Sequence, residues 1–233
     1  MKKLIFLLIL GCMISITSHA QSKLYTTSGW EMIFSWADVD YAGTEGETNM
    51  RWAPVLNLQS TLNYDLGDNF GLYTGLAVRN VGYIMTNYKD REDPTITVKK
   101  KFRTYNIGIP VGIKVGNLKK MFVYAGYALE FPFHYKEKTF KDENKTKDVQ
   151  TFFSNRVEQF QHGLIVGIQF PYGANLKFKY YFSEFHNQGY TESDGYMPYA
   201  GLKSNVLYIS LNFNIFRNSD FIAEDEIKGS EYY

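Results

Sequence analysis

The sequence predicts an all-β protein, an eight-stranded antiparallel up-and-down transmembrane β-barrel. Three observations predict it: long runs of two-residue alternation, long polar connections alternating with very short ones, and a less apolar face rich in Gly, Asn and Ser. The clearest run starts at Tyr105, where Tyr105, Ile107, Ile109, Val111, Ile113 and Val115 alternate with Asn106, Gly108, Pro110, Gly112 and Lys114. A period of two with one apolar face is a β-strand. After a turn at residues 117–120, Val123, Ala125, Tyr127, Leu129, Phe131, Phe133 and Tyr135 continue the apolar side. Opposed to them are Tyr124, Gly126, Ala128, Glu130, Pro132, His134 and Lys136. Such strands exceed the usual length of about five or six residues in soluble sheets. They suit tilted membrane-crossing strands, which need roughly 9–11 residues.

Residues 1–20 have the form of a secretory signal peptide, with Lys2 and Lys3, an apolar run over residues 4–14, and Ser18-His19-Ala20 as the cleavage site. That run is shorter than the roughly 20 residues of a membrane-spanning helix. The sole cysteine, Cys12, lies inside this segment, which argues against a disulfide framework or a thiolate metal site in the mature chain. Ile9-Leu10-Gly11-Cys12 loosely matches a lipidation box, but Met13, Ile14 and Ile16 continue the apolar run where a polar start is expected. A net charge of +1 implies no general affinity for nucleic acid. Nineteen Tyr, eighteen Phe and nineteen Gly suit strands, membrane interfaces and tight turns.

In chain order, the first strand covers residues 29–37, with Trp30, Met32, Phe34 and Trp36 on one face. A polar loop over residues 38–50 leads to the second strand at 51–65 and a turn at 66–69. The third strand, 70–88, changes register, from Leu72, Leu76 and Val78 to Val81, Tyr83 and Met85, so a bulge is expected near residues 80–82. A charged loop at 89–97 precedes the central hairpin, and a solvated loop is expected at 138–151. The sixth and seventh strands, 153–172 and 175–185, meet at a short turn, Tyr172-Gly173-Ala174. A long loop at 186–203 leads to the eighth strand at 204–216. The mature barrel therefore spans residues 21–216, followed by a polar, partly acidic tail at 217–233. Connections one, three, five and seven are long, while two, four and six are short, as in outer-membrane barrels with short periplasmic turns. Both termini are then expected on the periplasmic side of a Gram-negative outer membrane.

A soluble eight-stranded barrel also alternates, apolar inward. The small, charge-poor second face argues for the opposite polarity, because a water-facing wall would be dense in Lys and Glu. Trp30, Trp36, Trp52, Tyr64, Tyr105, Tyr135, Tyr172 and Phe213 are candidates for two aromatic girdles. The core Tyr105-Asn-Ile-Gly-Ile-Pro-Val-Gly-Ile-Lys, a short turn and then Phe122-Val-Tyr-Ala-Gly-Tyr resembles the PorT-like outer-membrane β-barrel proteins of Bacteroidota. Ala200-Gly201-Leu202-Lys203 before the last strand fits as well. Tyr208, Ser210, Phe213 and Ile215 resemble the C-terminal insertion signal read by the barrel-assembly machinery, with Ser where Gly is usual. The resemblance implies fold and location. Its named member serves a secretion system, and nothing in this sequence shows a shared role.

Glu31, Arg79, Lys114, Glu130, Lys177 and Lys179 fall on the expected lumen face. They form either a solute pathway or, as the narrow bore of eight strands favours, a network of charge pairs that fills it. Lys99, Lys100, Lys101 and Arg103, at the outer end of strand four, are candidate contacts for lipopolysaccharide or plain solvated charge. His134, His162 and His186 are spread over different elements, and no nucleophile–base or zinc motif accompanies them. The expected protein is therefore a non-enzymatic barrel without metal or cofactor, a structural or assembly component of the envelope. The alternative is a narrow channel or a binder of small solutes or lipid. Expected partners are outer-membrane lipid and lipopolysaccharide, the barrel-assembly machinery during insertion, and other envelope proteins.

Overall fold

A computed structural model describes residues 23–141 and 143–218. The expected signal peptide and the tail beyond Asn218 lie outside them. The strands are β1 (Lys23–Tyr41), β2 (Thr44–Glu45), β3 (Thr48–Asn49), β4 (Arg51–Ala53), β5 (Leu58–Asp65), β6 (Phe70–Lys89), β7 (Thr97–Asn117), β8 (Met121–Lys141), β9 (Asn144–Phe152), β10 (Gln161–Gln169), β11 (Ala174–Tyr181) and β12 (Leu202–Asn218). Pairing is antiparallel throughout and runs β1–β5–β6–β7–β8–β10–β11–β12. β12 then pairs with β1 from Tyr41↔Leu202 down to Thr26↔Asn218, so the ring closes at eight strands. β4 prolongs the second position of the ring beyond residues 54–57, and β9 prolongs the sixth.

The wall is inverted relative to a soluble protein. Large apolar side chains stand exposed on the outside, Ile109 and Val111 at 54% each, together with Leu58, Leu72, Leu76, Val123, Leu129, Leu164, Phe178 and Leu211. Charged side chains are buried inside. A continuous apolar belt of this extent would be a liability in water and is what hydrocarbon requires. On β7 the belt runs from Val115 to Ile107, and on β8 from Val123 to Phe131. Above it Tyr105 stacks on His134, with ring centroids 5.5 Å apart. Seven of the eight expected girdle aromatics lie outward or at the rim; Tyr135 does not.

Tyr135 is misplaced because β8 carries an extra residue. Tyr105 pairs with His134 but Asn106 pairs with Pro132, so Phe133 is a bulge. Beyond it the faces exchange: Tyr135, Glu137 and Thr139 point inward, and His134, Lys136 and Lys138 outward. The expected loop at 138–151 is a correction for the same reason. β8 and β9 continue there as a hairpin, whose outer face is charged because it stands above the membrane. The first connection is likewise partly stranded, through β2 and β3.

The bulge expected near residues 80–82 is also corrected. Register along β6 is constant from Phe70↔Val115 to Met85↔Lys100 and shifts only between Met85 and Tyr88. Val81, Tyr83 and Met85 therefore share the inward face with Tyr73, Ala77 and Arg79. The lumen itself changes character, polar near the short turns and apolar toward the opposite end.

Close strand approach in the polar half depends on paired glycines. Gly112 lies opposite Gly126, and the Tyr73 ring covers both, so a Cβ at Gly112 would come within 2.6 Å of that ring and 2.2 Å of the Ala125 carbonyl oxygen. Gly112→Val is expected to cost about 1–3 kcal/mol through overpacking. Urea-unfolding midpoints of the detergent-folded protein check this; an unchanged midpoint would show that the wall can relax there.

Candidate functional site

Two constellations fill the lumen. In its polar half, Arg79 on β6 donates to Glu31 on β1 (Nε–Oε2, 3.3 Å) and to Glu130 on β8 (Nη1–Oε1, 3.0 Å). Lys179 on β11 donates to the same Glu130 oxygen at 2.5 Å, and Lys177 pairs with Glu31. Period-two alternation aims all five inward from four different strands. Neutral groups complete the shell: Tyr181 Oη donates to Glu130 at 2.7 Å, Asn106 Nδ2 donates to Glu130 at 3.0 Å and to Gln161 at 2.9 Å, and Lys177 donates to Gln59 at 2.9 Å. Charges so deeply buried persist only when paired and hydrogen-bonded. Lys114 stands apart, donating to Asp65 (2.6 Å), Asn63 (3.1 Å) and Tyr25 (3.1 Å). Of the six lumen candidates, the structure thus brings five together and leaves Lys114 in a second cluster.

The apolar half holds a plug that the alternation did not reveal. Residues 182–201, between β11 and β12, fold into the mouth of the ring. His186 is fully buried, stacked on Tyr199 (centroids 4.3 Å, 13°) and packed against Phe102 and Phe185. Its Nε2 lies 3.1 Å from the Tyr83 hydroxyl. Glu137 accepts from Lys100 (2.7 Å), Tyr135 (2.8 Å) and Tyr199 (2.7 Å), and Arg156 donates to both Tyr199 (3.2 Å) and Glu192 (2.8 Å). Arg91 also clamps Glu192, at 2.8 Å, and Tyr88 donates to the Pro198 carbonyl. Continuing the two-residue phase of β6 past Arg79 would have placed Tyr83 and Met85 inside. No sequence signal reports that a loop folds back into the bore.

Burial pushes the His186 imidazole down to about 3, outweighing the pull of Glu137. Burial would raise the Glu137 carboxyl, but Lys100 and the two phenol groups hold it at about 2. Both groups sit above the apolar belt. Unfolded histidine takes its proton near 6.5 while the folded ring stays neutral, so stability falls as pH drops from 6.5 toward 3, by up to about 1.4 kcal/mol per pH unit. Glu137 adds a second loss as pH falls from 4.5 toward 2. Urea midpoints at about pH 8 and about pH 4 check this, and His186→Phe is expected to flatten the slope between them. An equal slope in the variant would remove His186 from the cause.

The remaining candidates divide. Lys99, Lys101 and Arg103 lie on the outer face, but Lys100 points inward to Glu137, with the Tyr88 ring 3.9 Å away, which corrects its assignment as a lipid contact. Lys136 and Lys138, missed from sequence because they follow the bulge, join the outer group. Of the insertion-signal candidates, Tyr208 and Ser210 are buried on the inner face, Phe213 is exposed on the outer one, and Ile215 continues β12. His134 faces outward, His162 lies outward beside Tyr127, and His186 is inside, so the three histidines do not converge. Among the described residues, no group of three His, Cys, Asp or Glu could hold a metal.

A closed antiparallel ring of eight strands with an apolar outside and a filled, charged inside is a small transmembrane β-barrel. The chain belongs to the outer membrane protein beta-barrel domain family, whose model matches residues 20–187. No curated protein matches the sequence. Among solved structures it is similar to Ail, the attachment invasion locus protein of Yersinia pestis, solved in complex with the heparin analogue sucrose octasulfate (9% identity, 84% of this chain and 98% of that chain, TM-score 0.37). It is similar also to Neisserial surface protein A, NspA (10%, 83% and 99%, TM-score 0.36), and to OprG from Pseudomonas aeruginosa (10%, 83% and 96%, TM-score 0.34). At these values no residue role transfers from them. Family membership places the protein in the outer membrane.

Proposed function

We propose that the protein is a non-conducting, non-enzymatic outer-membrane barrel of the PorT-like kind, a structural or assembly component of a larger envelope complex. The filled lumen carries this reading. The charge network occupies the polar half, the aromatic plug occupies the other, and each would have to be dismantled before solute could pass. Both termini are assigned to the periplasm. The first residue of β1, Lys23, pairs with Asp65 beside the short turn at 66–69, and β12 ends opposite Thr26 at that same end. Short turns mark the periplasmic side of such barrels. The last strand is then the segment presented to the barrel-assembly machinery. Affinity purification from outer membranes tests the scaffold role: a stable protein partner, diminished on deleting residues 219–233, is expected. A barrel that purifies alone from gently solubilised membranes contradicts it.

One observation favours a second reading, the binding of a small solute. A cavity of about 340 Å³ lies at the short-turn end, lined by Tyr73, Tyr124, Phe122, Lys114, Lys177 and Phe170 among others. Its size reaches the lower range of ligand sites. A solute that raises the melting temperature of the wild-type protein but not of Tyr124→Ala would favour this reading.

A further inference from the structure

The outer wall just above the belt carries a concentration of positive charge. Arg103 on β7 lies directly opposite Lys136 on β8, and Lys101 directly opposite Lys138. Like charges so opposed on one face of an antiparallel pair repel. Lys138 reaches Asp148 at 3.9 Å and Lys101 lies within the field of Glu143, but among the described residues no carboxylate is in salt-bridge contact with Lys101, Arg103 or Lys136. Lys101 is held over the Phe140 ring at 4.9 Å, and Arg103 donates to the Tyr105 hydroxyl at 3.2 Å.

A further cation converges from β4. Arg51 is only 6% exposed, and its guanidinium donates to the backbone and side-chain oxygens of Asn80, with no carboxylate partner among the described residues. Gly82, the register partner of Arg103, carries no side chain between the two arginines. Arg51, Lys101, Arg103, Lys136 and Lys138, with Trp52 and Ile84, line a cavity of about 260 Å³. A buried guanidinium without an anion is a costly arrangement that a bound anion would relieve. Height in the membrane selects the anion. Trp52 is 59% exposed, the Tyr105–His134 stack marks the interface, and below them the outer face of β7 is uninterrupted Ile and Val down to Val115. The cavity therefore opens where lipid headgroups lie.

We propose that this cavity binds a phosphate group on the headgroup of an outer-leaflet glycolipid. Arg51 and Arg103 supply planar forks suited to phosphate oxygens, and Lys101 and Lys136 supply point charges. Acyl chains of the same lipid would then run down the Ile107–Val115 face. The site rests on the outer-membrane placement and is independent of whether the barrel is a scaffold or a solute binder.

The test measures binding of diphosphoryl lipid A and of its fully dephosphorylated form to the detergent-folded protein, by native mass spectrometry. Wild-type protein is expected to prefer the phosphorylated lipid by at least about tenfold, and R103Q/K136Q to lose that preference. The gel shift on boiling, retained in the variant, shows that it still folds. Equal binding of both lipids by wild-type protein overturns the site. So does a folded R103Q/K136Q that keeps the preference. Displacement of the lipid by inorganic phosphate at equal concentration would assign the cavity to a soluble anion and overturn its lipid source.

Discussion

Replacing Arg79 by methionine is expected to destabilise the barrel more than any other single change in the lumen. Among the described residues, Arg79 is the one side chain that touches both carboxylates of the polar-half network, Glu31 and Glu130. Without it, Glu31 keeps Lys177 and Glu130 keeps Lys179, so neither acid is abandoned, but each loses a charge-assisted hydrogen bond inside a fully buried site. Removing one partner from such a cluster costs about 3–5 kcal/mol. The expected result is a correspondingly lower urea midpoint for the detergent-folded protein. Pairing Arg79→Met with Glu130→Gln in a double-mutant cycle should recover part of the loss, because the second change removes the charge that the first leaves short of a partner. Strict additivity would mean that the two groups stabilise the barrel independently.

Tyr199→Ala is the second large effect, and it acts on the plug. The ring stacks on His186 and the hydroxyl joins Glu137 to Arg156, so one truncation removes a buried aromatic and leaves Glu137 short of a donor. Large aromatic-to-alanine changes in a core cost about 3–5 kcal/mol. The loss should be local, since the ladder of the ring is untouched. Residues 182–201 are therefore expected to become cleavable by added protease while the membrane-crossing strands stay protected. Resistance equal to wild type would show that the Arg91 and Arg156 clamps on Glu192 hold the segment without Tyr199. Tyr199→Phe, which keeps the ring, separates the stacking from the hydrogen bonds.

How far the sequence was legible follows from what each side chain reports. Where lipid is outside and small or charged groups are inside, alternation speaks directly, and the strands through Ile109, Val123, Val166, Phe178 and Ile209 have the faces expected of them. The inward positions of Glu31, Arg79, Glu130, Lys177 and Lys179 follow from that same phase. Above the membrane the rule that apolar means outward fails, because water lies outside and the plug inside. Val81, Tyr83 and Met85 therefore mimic a slipped register in the sequence while being core in the fold. The extra residue Phe133 reversed the assignment of Tyr135 and hid Lys136 and Lys138. Lys100 sits within a run of cations, but successive residues on a strand face opposite ways, so it turns inward to Glu137. Nothing in residues 182–201 distinguishes a loop that covers the mouth from one that stands in solvent, since that depends on contacts with β6, β7 and β8 made only in the fold.

The measurement that tests the filled lumen most directly is single-channel recording in planar bilayers containing the heat-modifiable, folded protein. A bore occupied by Arg79 and its partners at one level and by the His186–Tyr199 plug at the next predicts a flat trace, with no reproducible conductance steps at either polarity. Discrete steps of constant size from folded wild-type protein would contradict it and make the barrel a channel.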